Sequence, residues 1–193
     1  MQTPLESLKN AYSQEIVHTT PEESSEIRII LDTYDDIFSD FDPRDYDVRA
    51  MSTDFLEEIE RASADKQEGG IELNLLIPKK VKSTSDELVI KKRLHEHFIK
   101  HYHHLQKEKE NLIKEGLWFI IGGLIFMFVT TYFLYQFEKK TPLITFLTII
   151  CEPGGWFLFW EGLNLLIFET KRVNPKLSFY KKMHLSKINF FGY

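Results

Sequence analysis

Two long apolar stretches separated by a short polar link dominate the hydrophobic pattern of the chain. Leu117–Phe137 contains no charged residue, and the second stretch covers Leu143–Phe168. A helix rises about 1.5 Å per residue, so each stretch is long enough to cross a hydrocarbon core of about 30 Å. Because the backbone in lipid must satisfy its hydrogen bonds internally, both stretches are predicted to be helices. The pattern therefore predicts a transmembrane helical hairpin over residues 116–168.

The second apolar stretch is interrupted. Glu152 is followed directly by Pro153, Gly154 and Gly155, and Glu161 lies nine residues beyond Glu152. Proline and glycine can unwind a helix, and unwound backbone beside a carboxylate is a way in which membrane proteins build cation sites. Since intramembrane carboxylates are usually functional, we expect an ion pathway lined by rings of Glu152, Glu161 or both in an oligomer. In one alternative, Glu152 lies near the outer interface and the Pro-Gly-Gly segment is a turn or packing notch. In another, Glu161 is protonated and only forms a hydrogen bond between helices.

Shorter patterns predict a small α+β domain over residues 26–84. Glu26–Asp32 has the composition of a buried strand, and Ile71–Ile77 largely alternates apolar and polar residues. Between them, Ser52 can cap a helix over Thr53–Ala64. The result is a β-α-β unit with parallel strands. Two strands make a poor sheet, which favours completion of the domain by neighbouring subunits.

A helical pattern then runs through residues 85–115 and continues without a breaker into the first apolar stretch. It predicts a stalk between the domain and the hairpin. The chain is predicted to begin with a flexible acidic segment, residues 1–25, and to end with a basic juxtamembrane tail, residues 169–193. The aromatic residues that would anchor this tail at the membrane interface are Phe190, Phe191 and Tyr193.

Charge is divided unevenly along the chain. Residues 1–78 carry 19 acidic and 6 basic side chains, whereas residues 79–115 carry 10 basic and 6 acidic ones. Basic residues flank both outer ends of the hairpin, and the link between the spans offers only Lys139 and Lys140. Because Lys and Arg are in excess on cytoplasmic flanks, both termini are predicted to be cytoplasmic.

The basic start of the stalk is a candidate binding surface. Its cations alternate with stackable rings, a combination that holds single-stranded nucleic acid or a nucleotide, although anionic lipid attracts the same cations. The candidate ligand-binding residues are Lys79, Lys80, Lys91, Lys92, Arg93, His97 and His101.

Three histidines, His97, His101 and His104, are spaced to lie on one side of the stalk helix. Zinc binding, a solvated polar face, ligand contact and pH sensing are all compatible with this spacing. The sequence has no phosphate-binding loop, no GxSxG and no metalloprotease motif, so we expect neither enzymatic activity nor a cofactor.

Several segments resemble a family of bacterial two-span membrane proteins. They are FSDFDPRDYDVRAMSTDFLEEI, the glycine pair followed by ELNLLIP, and WFLFWEGLNLLIF in the second span. The architecture also resembles the membrane effectors of the Hailong anti-phage defence system. That resemblance implies a small oligomeric ion channel of the bacterial inner membrane, whose cytoplasmic part binds DNA oligomers made by a partner nucleotidyltransferase.

We therefore expect a homo-oligomer, a tetramer in the first instance, that surrounds a ligand-gated ion pathway. Two spans per subunit cannot enclose a pore, so this function requires several copies. The alternative is a non-conducting, membrane-anchored binding or scaffold module, which would have no need of Glu152 and Glu161.

Overall fold

The computed structural model describes residues 26–66, 70–136 and 141–193. Its elements are β1 (Glu26–Ile30), a 3₁₀ turn (Tyr34–Ile37), α1 (Thr53–Ser63), β2 (Glu72–Ile77), α2 (Thr84–Gln136), α3 (Pro142–Asn164), a π-helical turn (Leu165–Glu169), α4 (Thr170–His184) and β3 (Lys187–Gly192). The predicted acidic segment, residues 1–25, and the polar link at residues 137–140 lie outside the described residues.

The elements divide into two compact units. The described residues of Met1–His101 and Ser178–Tyr193 form one, which we call the sheet unit. Tyr102–Leu177 forms the other, which we call the hairpin unit.

A parallel sheet in the order β1-β2-β3 forms the centre of the sheet unit. The two predicted strands and their parallel pairing are confirmed, with Ile27 opposite Leu73 and Ile29 opposite Leu75. α1 also begins where predicted, because the Ser52 side chain accepts a hydrogen bond from the Phe55 backbone N–H.

The C-terminal segment supplies a third strand that the sequence analysis did not predict. Lys187–Gly192 pairs in parallel with β2, and Phe190 lies opposite Leu75. The Phe190 ring is only 7% exposed and belongs to the core, so its predicted role as a membrane-interface anchor is wrong. A short strand of aromatic and basic residues has the composition of an interfacial segment, which explains the error. The same chain, rather than a neighbouring subunit, therefore completes the sheet.

One face of the sheet carries the core. Ile27, Leu73 and Leu75 lie on this face and are at most 2% exposed. The side chains that cover them include Phe55 and Ile59 of α1, Ile90, Leu94 and Phe98 of α2, and Phe179 and Met183 of α4.

The opposite face of the sheet is open in the described part of the chain. Ile30 is 71% exposed and Phe191 is 50% exposed, and both lie beside Leu76 in the strand register. Nearer the start of the strands, Asn74 accepts a hydrogen bond from the Asn189 amide and donates one to Glu26, which makes a polar ladder across the three strands. This ladder fixes the register, because a slip would leave the Asn74 amide without partners.

α2 is one continuous helix over Thr84–Gln136, as the absence of breakers predicted. The second long helix begins at Pro142, includes the π-helical turn and ends at His184. Each is long and apolar enough to cross a membrane, which fits a two-span membrane protein.

Candidate ion pathway and ligand-binding surfaces

Four glycines bring α2 and α3 into close contact within the hairpin unit. A Cβ added to Gly123 would lie 2.7 Å from the Gly155 carbonyl oxygen. A Cβ added to Gly162 would lie 2.6 Å from the Gly116 carbonyl oxygen. The order of these contacts shows that α2 and α3 are antiparallel. Close backbone contact of this kind is how helices associate in lipid, where no hydrophobic effect drives them together.

The glycine contacts repeat every seven residues on each helix. Gly116 and Gly123 on α2 are matched by Gly162 and Gly155 on α3, and Thr130 continues the α2 series at 5% exposure. A strict seven-residue repeat keeps one line of each helix against its partner. Of the adjacent Gly122 and Gly123, only Gly123 is used in this contact, since nothing lies within 4 Å of a Cβ at Gly122.

The predicted interruption of the second span is not present. α3 continues as a helix through Pro153, Gly154 and Gly155. The prediction of unwound backbone beside Glu152 is therefore wrong. Gly155 is instead buried against Gly123 and Met127, which is the packing notch of the alternative interpretation. A helix tolerates an internal proline in lipid when neighbouring groups compensate for the lost backbone hydrogen bond.

The two candidate pathway carboxylates both lie on α3. Glu152 is exposed and Glu161 is partly buried by its own chain. Gly154 faces open space, because nothing lies within 4 Å of a Cβ built at that position. Of the two predicted pathway glycines, Gly155 alone is used in the contact between α2 and α3.

An apolar cavity of about 200 Å³ lies between α2 and α3. Its polar groups are largely satisfied within the helices, since the Thr130 and Thr148 hydroxyls donate to the carbonyls of Phe126 and Ile144. Its lining consists of Val129, Thr130, Phe133, Ile144, Leu147, Thr148 and Cys151. The sequence carries no signal for this cavity, because its lining comes from two apolar segments distant in the chain.

The helix widens at the π-helical turn that follows α3. The Thr170 hydroxyl donates to the Leu165 carbonyl five residues earlier at 3.0 Å, and Thr170 is buried. Thr170 lies eight positions after Gly162, whereas Gly162 lies seven positions after Gly155. A π turn accommodates one extra residue and often marks a functional position.

The structure divides the predicted ligand-binding residues into three groups. Lys79, Lys80 and Lys91 form the first, near the end of β3. The Lys79 backbone N–H donates to the Tyr193 carbonyl at 3.1 Å, and the Lys91 ammonium lies 5.7 Å from the centre of the Phe190 ring. Lys80 is exposed beside them in the loop after β2.

Lys82 belongs to the same basic stretch, and the sequence analysis missed two C-terminal aromatic side chains at this end of the sheet. The Lys82 ammonium donates to the Phe190 carbonyl at 3.3 Å. Phe191 and Tyr193 place partly exposed rings on the open face of the sheet, near the same end. They were missed because the C-terminal segment was assigned to the membrane interface and not to the sheet.

Lys92 and Arg93 form the second group. The Arg93 guanidinium donates twice to the Arg49 backbone carbonyl, at 3.2 and 3.1 Å, and the Lys92 ammonium lies 3.9 Å from Glu96. These contacts fix the loop before α1 and leave Lys92 beside a small polar pocket of about 280 Å³.

His97 and His101 form the third group, together with Tyr180 of α4. The two imidazole centres are 4.3 Å apart, and His101 stacks on the Tyr180 ring at 5.0 Å. Burial, reinforced by the neighbouring His101, lowers the pKa of His97 to about 4. His97 is therefore neutral at physiological pH, which removes it as a pH sensor there.

The histidine spacing does not assemble a metal site. In the described residues, no three His, Cys, Asp or Glu side chains come together in a group that could hold a metal ion. His97, His101 and His104, which were one candidate zinc set among several interpretations, are not such a group in this structure.

A buried network at the start of α2 was also missed. The Ser83 backbone N–H donates to the Tyr34 hydroxyl at 3.0 Å, and that hydroxyl donates to Glu87 at 3.2 Å. Burial raises the pKa of Tyr34. The network joins the end of β1 to the loop carrying Lys79 and Lys80, so it holds the basic group in place.

No protein-family model, curated protein or solved structure matches this chain. The class of protein is therefore defined by its own geometry. It combines a three-stranded parallel α/β unit with an antiparallel hairpin of two helices, each long and apolar enough to span a membrane.

Proposed function

We propose that this chain assembles into a homo-oligomeric, ligand-gated ion pathway of the bacterial inner membrane, with a role in anti-phage defence. The observation that carries the proposal is the pair of carboxylates, Glu152 and Glu161, on an apolar helix of spanning length. A carboxylate at the centre of a bilayer costs at least about 2.5–3.5 kcal/mol on insertion scales. A hairpin that served only as an anchor would have no reason to keep two of them.

Oligomerisation follows from the size of the hairpin. Two helices packed through glycines leave no continuous channel between them, so a pathway needs helices from several copies. A tetramer is the simplest assembly that we propose. The basic flanks support an orientation in which both chain ends are cytoplasmic.

The cytoplasmic ligand is proposed to bind at the basic group near the end of β3. Lys79, Lys80 and Lys91 supply positive charge, and Phe191 and Tyr193 expose their rings at the same end of the sheet. Cations and exposed rings at one end of a sheet suit a nucleic-acid oligomer or a nucleotide. In parallel α/β sheets, ligands commonly bind outside the carboxyl ends of the strands, where this group lies.

The experiment is single-channel recording from the purified full-length chain in planar bilayers, with and without short DNA oligomers. Discrete currents that respond to the oligomer, and that change when both carboxylates are replaced (Glu152→Gln with Glu161→Gln), support the proposal. Silence under both conditions, from protein shown to be folded and membrane-inserted, contradicts it.

A non-conducting, membrane-anchored binding module is the second candidate. It is favoured by the continuity of α3 through Pro153 and by the use of Gly155 for packing, because both suit a plain structural hairpin. Under this function the double Gln variant keeps full ligand binding and full biological activity. Binding of a labelled oligonucleotide, compared with conductance on the same variant, separates the two functions.

A further inference from the structure

We infer that the apolar cavity between α2 and α3 binds the end of a lipid acyl chain. Such binding requires only that the hairpin spans a membrane, so it stands apart from the proposed ion pathway. The cavity and its lining residues all belong to the hairpin unit.

The seven-residue repeat of the hairpin explains why the cavity forms. Glycine meets glycine in two layers, the second of them Gly123 against Gly155, and there the two helices touch through their backbones. The next positions on the two lines are Thr130 and Thr148, and both line the cavity. A β-branched side chain is much larger than the hydrogen of glycine, so this layer keeps the backbones apart and leaves space between them.

The lining of the cavity is almost entirely apolar. The Thr130 hydroxyl donates to the Phe126 carbonyl at 2.8 Å, and the Thr148 hydroxyl donates to the Ile144 carbonyl at 2.9 Å. Both hydroxyl protons are therefore used within their own helices. The remaining lining groups are hydrocarbon side chains and the Cys151 thiol. A cavity of this chemistry favours an apolar occupant over water, which needs several polar partners.

The size of the cavity suits the end of a hydrocarbon chain. Its volume is about 200 Å³. An apolar cavity of about 150 Å³ in a soluble protein is large enough to bind benzene, so a group of about six carbon atoms fits here. Left empty, the cavity would deprive its lining of dispersion contacts on one side, and an apolar occupant restores them.

Lipid is the occupant that the surroundings of the cavity supply. Val129, Phe133 and Leu147 line the cavity and are also exposed, so the cavity is continuous with the outer surface of the hairpin. That surface lies in hydrocarbon when the two helices span a bilayer. An acyl chain can therefore enter from the side, with its headgroup left outside the cavity.

The first test places the full-length chain in nanodiscs that contain a phospholipid with a diazirine at the end of one acyl chain. After irradiation, peptide mass spectrometry locates the adducts. We expect adducts on Thr148 and Cys151 in the cavity, as well as on the exposed Phe146. Adducts on Phe146 without any in the cavity overturn the inference, and this is also the result if a side chain from a second copy fills the space.

The second test fills the cavity from within. Thr148→Leu enlarges a lining side chain, and its matched control is Thr145→Leu, three residues earlier on the same helix. Thr145 is exposed, and its hydroxyl likewise donates within the helix, to the Thr141 carbonyl at 3.2 Å. Thr148→Leu should reduce the adducts on Cys151 severalfold and leave those on Phe146 unchanged, whereas Thr145→Leu should keep both. Adducts on Cys151 that persist in Thr148→Leu overturn the inference.

A competition experiment on the wild-type chain decides the question if Thr148→Leu does not fold. Benzene fits an apolar cavity of this size, so it should compete with the acyl chain there. We expect benzene to reduce the adducts on Thr148 and Cys151 and to spare those on Phe146. Cavity adducts that do not respond to benzene would show that the diazirine reaches these residues without entering the cavity, which overturns the inference.

Discussion

His97 is a basic side chain that the fold keeps neutral. Its ring is partly buried beside His101, Phe98 and Tyr180, and its Nε2 atom is buried without a hydrogen-bond partner in the described part of the chain. Since burial lowers its pKa from 6.5 to about 4, the unfolded chain takes up a proton between these values that the folded chain does not. His97 thus contributes stability above pH 6.5, and this contribution is lost as the pH falls towards 4.

We predict that His97→Phe makes unfolding less sensitive to pH between 6.5 and 4. Because the ring is partly exposed, the effect should be roughly 1–2 kcal/mol across this range, less than the full shift would give. The measurement is the midpoint of thermal unfolding of the detergent-solubilised chain at several pH values. His95→Phe, an exposed position on the same helix, should keep the wild-type pH dependence; an unchanged dependence in His97→Phe would contradict the prediction.

The glycines of the hairpin differ in a way that composition does not reveal. Gly162→Ala would place a methyl group 2.6 Å from the Gly116 carbonyl oxygen and 2.8 Å from the Ile120 backbone N, so the helices must separate. We predict a loss of roughly 1–3 kcal/mol in stability, the usual result of overpacking.

The matched control is Gly154→Ala, where the added methyl group meets nothing within 4 Å. This variant should be neutral or gain up to about 1 kcal/mol from better helix propensity. The measurement for both is unfolding of the purified chain by sodium dodecyl sulfate. Equal effects at the two positions would mean that α2 and α3 do not pack as described.

Strand β3 shows how an element acquires its role from its neighbours. Alternate residues of Lys187–Gly192 face the core and the open side of the sheet, so Phe190 is buried while the adjacent Phe191 is half exposed. The same alternation was present in the sequence. It had no predictive value until β2 was known to offer a free edge to the C-terminal segment.

We predict that Phe190→Ala destabilises the protein by about 3–5 kcal/mol, the usual cost of removing a buried aromatic ring. Phe191→Ala, one residue away, should change the stability by less than about 1 kcal/mol. Denaturant unfolding, followed through the sheet unit by circular dichroism, measures both. Membrane association should be unaffected in either variant. Loss of membrane association in Phe190→Ala would instead show that Phe190 anchors the chain at the membrane interface.

At the scale of the whole molecule, the prediction concerns the number of copies in the assembly. If the chain forms an ion pathway, the purified protein must be a homo-oligomer, because one hairpin cannot surround a pore. Mass photometry in detergent should give a single species of several copies, four in the first instance. A monomer that is folded and inserted would exclude the pathway and leave the membrane-anchored binding module.

Only some residues of the candidate sites could be predicted from the sequence. The carboxylates and basic residues were identifiable, because charge inside an apolar helix and clustered lysines are visible in the chain itself. The contacts of Lys79 with Tyr193 and of Lys91 with Phe190 were not, since these residues are about a hundred positions apart in the chain. Pro153, Gly154 and Gly155 also do not indicate by themselves whether α3 unwinds or packs closely against α2. That outcome depends on the residues of α2 that lie opposite, which are Gly123 and Met127.

The sequence by itself determined the local elements of this protein. The apolar runs, the Ser52 cap, the two predicted strands and the unbroken α2 follow from hydrophobic period, length and capping, which act over a few residues. Only the tertiary structure decided the rest: that the C-terminal segment completes the sheet, that His97 is buried, and that Gly123 meets Gly155 while Gly154 stays open. The physical reason is that burial and packing depend on residues distant in the chain, and no local pattern records which of two similar positions will face a neighbour.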